Sequence, residues 1–215
     1  MRIDPAGYPF VLGALVLAVL VAAAGLGLWA LLPLVLAGFF LFFFRDPDRH
    51  AEIGPDEVVA PADGRVVVAG DPEPGAAPPG VWRQISIFLS PLDVHVNRMP
   101  VSGRVTRVDY QKGRFLPAYK REAAVENERN EIWIERDGVT IVARQVVGVL
   151  ARRIVCRVSP GAAVQAGERF GVMKFGSRMD VFLPPGSRLF VRPGDRTTAG
   201  VTRLAVLPPN GSGAA

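Results

Sequence analysis

From Tyr8 to Phe44 the chain carries no charged residue, and beyond that run apolar and polar positions alternate in short stretches punctuated by glycine and proline. The two patterns predict different structures. The first commits about forty residues to an apolar environment. As one helix it would be roughly 55 Å long at 1.5 Å per residue, too long for a hydrocarbon core of roughly 30 Å, so it is expected to break. Gly25-Leu26-Gly27 and Pro33 are the weak points, which predicts a helical hairpin of two segments near the lower length limit for spanning. Arg2 before the run and Arg45 and Arg49 after it fit both ends being cytoplasmic. A shallow insertion from one side is the alternative, and the sequence does not separate the two. A secretory signal is rejected, because the run is too long for a signal core and no small-residue cleavage site ends it.

The second pattern predicts strands near residues 64–69, 84–89, 94–98, 103–110, 131–135, 139–146 and 152–158. Two more, 168–174 and 179–183, flank a kink at Gly176-Ser177. The fold class is therefore α+β, an N-terminal apolar helical hairpin followed by a mostly-β domain of short strands. Residues 1–50 are the expected membrane anchor and exit linker, 51–207 the β domain, and 208–215 a disordered tail. Residues 71–80, rich in proline and glycine, read as a surface loop. Residues 115–130 lack strand alternation and are expected to hold a short helix near 119–125. With Phe115, Leu116 and Tyr119 among Lys112, Arg114, Lys120 and Arg121, this segment is a candidate lid or lipid-facing surface.

Charge sharpens the division. In residues 1–50 three arginines and three aspartates cancel, so the whole net charge of +5 belongs to residues 51–215. A basic domain tethered beside a bilayer suits an anionic lipid surface, each Lys or Arg near it contributing roughly 1 kcal/mol. Nucleic acid is not expected as a partner, since no binding motif for it occurs. Cys156 is the only cysteine, which excludes an internal disulfide and a cysteine-based zinc site. Neither a metal-ligand cluster nor a glycine-rich phosphate loop is present, so no metal or nucleotide is expected.

Candidate chemistry is sparse. Of the two histidines, His50 lies in the charged exit from the apolar run and is expected to be solvated. His95 lies in Ser90-Pro91-Leu92-Asp93-Val94-His95-Val96-Asn97-Arg98-Met99-Pro100, on the polar side of an alternating strand. Asp63 opens another strand in Ala60-Pro61-Ala62-Asp63-Gly64-Arg65, where an Asp-Gly turn accounts for it without any function. A Gly-Ser kink alone is likewise an ordinary turn.

Taken in order, APADGRV, FLSPLDVHVNRMPVSG, NERNEIWI, the ARRIV segment and GERFGVMKFGSRMDVFLP, with the apolar N-terminus and its FFRDP exit, resemble the short form of the phosphatidylserine decarboxylases over almost the whole chain. The resemblance implies a precursor that cuts itself between Gly176 and Ser177 into a large and a small chain, Ser177 becoming a covalent pyruvoyl group that forms a Schiff base with the substrate. It implies phosphatidylserine as the membrane substrate, phosphatidylethanolamine as product, and a place on the cytoplasmic face of a cell membrane.

The chemistry explains the residue types. A serine hydroxyl needs a base before it attacks the preceding carbonyl, and His95 is the histidine placed to help, with Asp63 expected to orient its imidazole and Asp93, on the same strand face, another possible orienter. His95 is also the first candidate proton donor after decarboxylation. Longer relatives carry a second histidine where this chain has Arg98, so Arg98 is a candidate partner for a substrate carboxylate or phosphate, and Phe115 and Tyr119 are candidate lipid contacts. Which step His95 serves, and whether the chain forms homo-oligomers, stay open. The competing reading is a non-enzymatic, membrane-tethered β domain of the biotinyl or lipoyl type, with which PADGRV and Met173-Lys174 are compatible. It leaves His95, the NERN segment and FGSR unexplained.

Overall fold

The computed structural model describes residues 2–149, 153–174 and 176–209, and its contacts divide the chain into a unit of residues 1–48 and a unit of residues 49–215. In the first unit, β1 (Arg2–Ile3) leads through a 3-10 turn at Pro5–Gly7 into α1 (Tyr8–Ala23), a second 3-10 turn covers Gly27–Ala30, and α2 (Leu31–Phe43) runs into β2 (Arg45–Asp46). The break falls at the expected glycines, where Gly25 takes a φ of +78°, a conformation that glycine alone adopts without cost. Pro33 does not break the chain. It is the third residue of α2, where the missing N–H would have had no intrahelical partner. Ala14, Ala18 and Ala37 are buried while Leu12, Leu20, Leu32 and Val35 are exposed, so small residues let the helices close on one another and the large apolar ones face outward. Pro5–Ala23 is long and apolar enough to cross a membrane. Arg2 pairs with Asp46 and Ile3 with Arg45, so the chain leaves the hairpin where it entered.

The second unit is built from β3 (Glu57–Val59), β4 (Gly64–Gly70), β5 (Arg83–Leu89), β6 (Val96–Arg98), β7 (Gly103–Gln111), α3 (Ala123–Glu126), β8 (Arg129–Arg136), β9 (Val139–Val147), β10 (Ile154–Cys156), β11 (Ala163–Val164), β12 (Arg169–Met173), β13 (Ser177–Leu183), β14 (Arg188–Leu189), β15 (Arg196–Thr197) and β16 (Arg203–Val206). Eight of these form one antiparallel sheet in the order β11-β7-β8-β9-β13-β5-β4-β15, and two three-stranded sheets, β10-β12-β6 and β14-β16-β3, accompany it. Ile85, Ile87, Leu89, Ile132, Ile134, Ile141, Met179, Val181 and Leu183 alternate along the central strands and join Val58, Met99, Phe170, Met173 and Leu204 from the smaller sheets in a single core.

Several expectations shift. The short helix forms at Ala123–Glu126, later than expected, because the Leu116 N–H is taken by a side chain described below and residues 117–120 make a turn closed by the Lys120 N–H on the Pro117 carbonyl. Residues 71–80 are not a free surface loop: Ala76 is 2 % exposed and Glu73 is paired to a strand side chain. Pro208, placed in the disordered tail, is buried, and Leu207 donates its N–H to the Asp56 carbonyl at 2.9 Å, so the folded chain runs further than expected. Residues 210–215 of that tail, and residue 152 of the expected strand 152–158, lie outside the described residues.

Candidate active site

Ser177 is the first residue of β13, a central strand whose seven residues are all buried. It sits in register between Leu89 of β5 and Val147 of β9. Period-two alternation puts its side chain on the same face as Met179 and Val181, toward the core. Its Oγ is buried and has no hydrogen-bond partner among the described residues. Leaving a buried hydroxyl unpaired costs about 1–3 kcal/mol, so this serine is held where packing alone would not put one. Gly176 precedes it with a φ of +71°, a left-handed conformation that a side chain would disfavour by about 1–2 kcal/mol. Phe175 of the same motif lies outside the described residues.

His95 is fully buried and immediately precedes β6. Its Nδ1 lies 2.9 Å from the backbone carbonyl of Asp93, which can only accept, so Nδ1 carries the proton. Nε2 is then the acceptor, and the N–H of Gly176 donates to it at 3.3 Å. The Ser90–Asp93 turn supports this arrangement: the Asp93 carboxylate accepts from the Ser90 N–H at 2.8 Å, and the Asp93 N–H returns to the Ser90 carbonyl at 2.9 Å. The fold thus brings His95, Gly176 and Ser177 together.

Asp63 has other partners. Both carboxylate oxygens take the Arg49 guanidinium, at 2.5 and 2.7 Å, and Oδ1 also accepts from the Ala199 N–H at 2.8 Å. The expected contact between Asp63 and the imidazole is replaced by the Asp93 carbonyl, and Asp63 ties Arg49 to the turn before Gly200. Arg98, the last residue of β6, is buried and donates to the Gly167 carbonyl at 3.0 Å. Phe115 and Tyr119 are 38 % and 62 % exposed, and Tyr119 meets Phe88 edge to face at 5.9 Å between ring centres. Phe88 pairs with Arg178 in the sheet, so Tyr119 stands beside the start of β13.

Two residues at this end of the sheet were not singled out from the sequence. Gly148 follows β9, and a Cβ built on it would lie 2.4 Å from the Gly176 carbonyl oxygen, 3.2 Å from its carbon and 3.4 Å from Cβ of Ala118. An isolated glycine ending a strand pattern is the available signal for such a close backbone approach. Asn127, the first residue of NERN, donates from Nδ2 to the carbonyls of Leu116 and Val147, both at 2.8 Å, and accepts the Leu116 N–H on Oδ1 at 2.9 Å. Its amide imitates a stretch of backbone and fastens residues 115–118 to the end of β9.

On the opposite face of β13, Arg178 donates to Asp180 and Glu73 at 2.5 Å each and to Ser86 at 2.8 Å. Burial works against its charge, but Asp180 and Glu73 outweigh that and hold its pKa above the ordinary arginine value. Arg144, two strand positions away, pairs with Glu131 at 2.7 Å and bonds the Ala76 carbonyl. These two arginines draw residues 73–76 onto the sheet. Among the described residues no group of three or more His, Cys, Asp or Glu is placed to hold a metal ion.

The family model for phosphatidylserine decarboxylase matches residues 36–205. The chain is 42 % identical over 205 residues to the phosphatidylserine decarboxylase proenzyme of Magnetococcus marinus, covering 94 % of this chain and 93 % of that one. It is 45 % identical over 207 residues to that of Aromatoleum aromaticum, with 94 % of each covered. The proenzyme of Saccharopolyspora erythraea is 43 % identical over 210 residues, covering 94 % of this chain and 87 % of its own. Similarity of this extent takes in the hairpin and every sheet, which a small carrier domain would leave unaccounted for. The chain belongs to the phosphatidylserine decarboxylase family and is a decarboxylase.

Proposed function

We propose that the chain is a membrane-bound proenzyme that cuts itself between Gly176 and Ser177 and converts Ser177 into a pyruvoyl group. With that group it turns phosphatidylserine into phosphatidylethanolamine and carbon dioxide at the cytoplasmic face of a cell membrane, a step of phospholipid synthesis. The observation that carries this reading is the buried, unpartnered Oγ of Ser177 beside a left-handed Gly176 whose N–H rests on His95 Nε2. The relatives named above are called proenzymes, which accords with it.

Self-cleavage needs no outside reagent but water. Ser177 Oγ forms a bond to the Gly176 carbonyl carbon, the C–N bond breaks, and the hydroxyl proton ends on the Ser177 nitrogen, leaving an ester. Loss of the Ser177 α-proton expels Gly176 as a carboxylate, and water releases ammonia from the remaining imine to leave a ketone. His95 Nε2, unprotonated and held toward Gly176, is the base at hand for the first proton. The products are a 176-residue large chain and, from 215 residues, a 39-residue small one. They stay assembled without a disulfide because the small chain is woven into two sheets: β13 lies between β5 and β9, β15 pairs with β4, and β14 and β16 join β3.

The residues around Ser177 fit a pyruvoyl group, since the side chain that becomes its methyl is buried on the core face of β13, and among the described residues Oγ has no hydrogen bond to give up when it leaves with the Gly176 carboxylate. Such a ketone condenses with the primary amine of the substrate and takes up the electron pair released as carbon dioxide leaves. His95 stands at the same place to return a proton to the substrate carbon. Phe115 and Tyr119 offer exposed apolar surface beside the start of β13 for the lipid, and the apolar hairpin of residues 8–43 anchors the chain in the membrane that holds it.

The deciding experiment is an intact-mass spectrum of protein purified from native membranes, beside a Ser177→Ala variant. Two fragments parting at Gly176 are expected, the smaller one 17 Da (one ammonia) lighter than its hydrolysis product less nothing else, with the variant uncut. A single chain of full mass in the wild type would sink the proposal.

A further inference from the structure

The structure assigns Gly148 as a positioning residue for self-cleavage: its missing side chain is the space that the Gly176 carbonyl occupies when Ser177 attacks it. The inference rests on the self-cleavage reading. The distances leave little freedom. A Cβ on Gly148 would stand 2.4 Å from the Gly176 oxygen, closer than non-bonded carbon and oxygen approach, and the atoms it would meet there are backbone. A side chain at 148 therefore forces the Gly176 peptide plane to rotate or move.

The neighbours prevent the alternative, in which residue 148 retreats instead. Ala118, 3 % exposed, has its Cβ 3.4 Å from the same position. The loop carrying Ala118 is fastened through Leu116 to Asn127, which also holds the Val147 carbonyl, one residue before Gly148. Val147 is in turn paired with Ser177 in the sheet. The nucleophile, the attacked carbonyl and the glycine that admits it are thus set by one register, β9 against β13. A shift of the carbonyl by about 1 Å is enough to cost about a hundredfold in a reaction between groups fixed on one scaffold.

The step affected is the acyl shift itself, in which the Ser177 Oγ bond to the Gly176 carbon forms and the peptide C–N bond breaks. Later steps act on an ester whose carbonyl no longer has to keep this place. Hydroxylamine distinguishes the two stages, because it cleaves an ester already formed: the fragment ending at Gly176 leaves as a hydroxamate and Ser177 is left intact with a free amine.

The test is a time course of cleavage in the full-length membrane protein for the wild type, Gly148→Ala and Ala118→Val, read by intact mass with and without hydroxylamine. Gly148→Ala is expected to cut about a hundredfold more slowly, and hydroxylamine is expected not to release its fragments. Its fold is checked by comparing the melting of Ser177→Ala with that of the Ser177→Ala, Gly148→Ala double variant, both uncut. If the double variant fails to fold, Ala118→Val carries the test. It crowds the same space and is expected to slow cutting at least about tenfold. Cleavage of a folded Gly148→Ala at the wild-type rate overturns the inference, as does hydroxamate release from it, or wild-type cutting by Ala118→Val. A wild type that never cuts overturns the self-cleavage reading instead.

Discussion

His95 and Gly176 meet through a single hydrogen bond, from the Gly176 N–H to Nε2 at 3.3 Å, while the other ring nitrogen is fixed on the Asp93 carbonyl at 2.9 Å. The imidazole is therefore locked in one tautomer with its basic edge toward Gly176, whose carbonyl is the one attacked in the proposed self-cleavage.

His95→Ala is expected to cut slowly and, in whatever fraction does cut, to release carbon dioxide about 10²- to 10⁴-fold more slowly than the wild type. His95→Gln keeps a polar atom for the Gly176 N–H and is expected to cut more completely than His95→Ala while losing turnover equally. Intact mass and carbon dioxide release, measured on the same samples, check both. Wild-type turnover per cut chain in His95→Ala would remove the histidine from the chemistry.

Asp63 gives a sharper test of mechanism, because its carboxylate is engaged by Arg49 and the Ala199 N–H. Asp63→Asn and Arg49→Gln are expected to share one phenotype, a stability loss of about 1.5–3 kcal/mol each from the charged hydrogen bonds. The double variant is expected to be no worse than either single one, since the same pair is removed. Denaturant midpoints beside cut fractions decide it. A block of cleavage in Asp63→Asn alone, with Arg49→Gln cutting normally, would restore the catalytic relay that the residue order implies.

The difference between Asp63 and His95 shows what a sequence can carry. The apolar run, its break at Gly25 and the alternating strands are local patterns, so they are legible in order along the chain. Ser177 and His95 were singled out through the ordered set of motifs, since a Gly-Ser turn and a histidine on a strand are each ordinary by themselves. Asp93 was legible as a possible orienter of His95, but the group that does it was not, because it is the backbone carbonyl, which every residue possesses, and not the carboxylate. Gly148 and Asn127 were missed for a related reason. Their roles depend on Gly176 and on Leu116 and Val147, which the fold brings to them from elsewhere in the chain. Residues 71–80 were misread because their composition is that of a solvated loop, whereas the arginines that draw them in stand on β9 and β13.

Asn127 is expected to matter through the loop it fastens. Asn127→Ala removes three hydrogen bonds and leaves the Leu116 N–H without its acceptor, at about 1–3 kcal/mol. Hydrogen exchange at residues 115–119 is expected to rise and self-cleavage to slow. Asn127→Asp is expected to be worse, because it turns an acceptor toward the carbonyls of Leu116 and Val147. Exchange mapped by mass spectrometry, with the cut fraction alongside, tests the order. Unchanged exchange at 115–119 in Asn127→Ala would mean that something else holds the loop.

Arg178 adjoins Ser177, the N-terminus that the proposed cut would create, and its buried pairs with Asp180 and Glu73 are expected to hold that end in place. Removing one member of a buried ion pair costs about 3–5 kcal/mol, because the remaining charge has neither water nor partner. Asp180 is fully buried and already has one oxygen unpaired, so Arg178→Met is expected to lose stability in that range. Glu73 lies on a loop and can turn to solvent, so Glu73→Gln is expected to cost less. Replacing both Arg178 and Asp180, by Met and Leu, removes the stranded charge and is expected to recover most of the loss. Denaturant midpoints of the four proteins, each made with Ser177→Ala so that cleavage does not alter them, give the ranking. If the double replacement is instead as unstable as Arg178→Met, the network holds the strand through its hydrogen bonds to Ser86 and Glu73, and the charge on Asp180 is incidental.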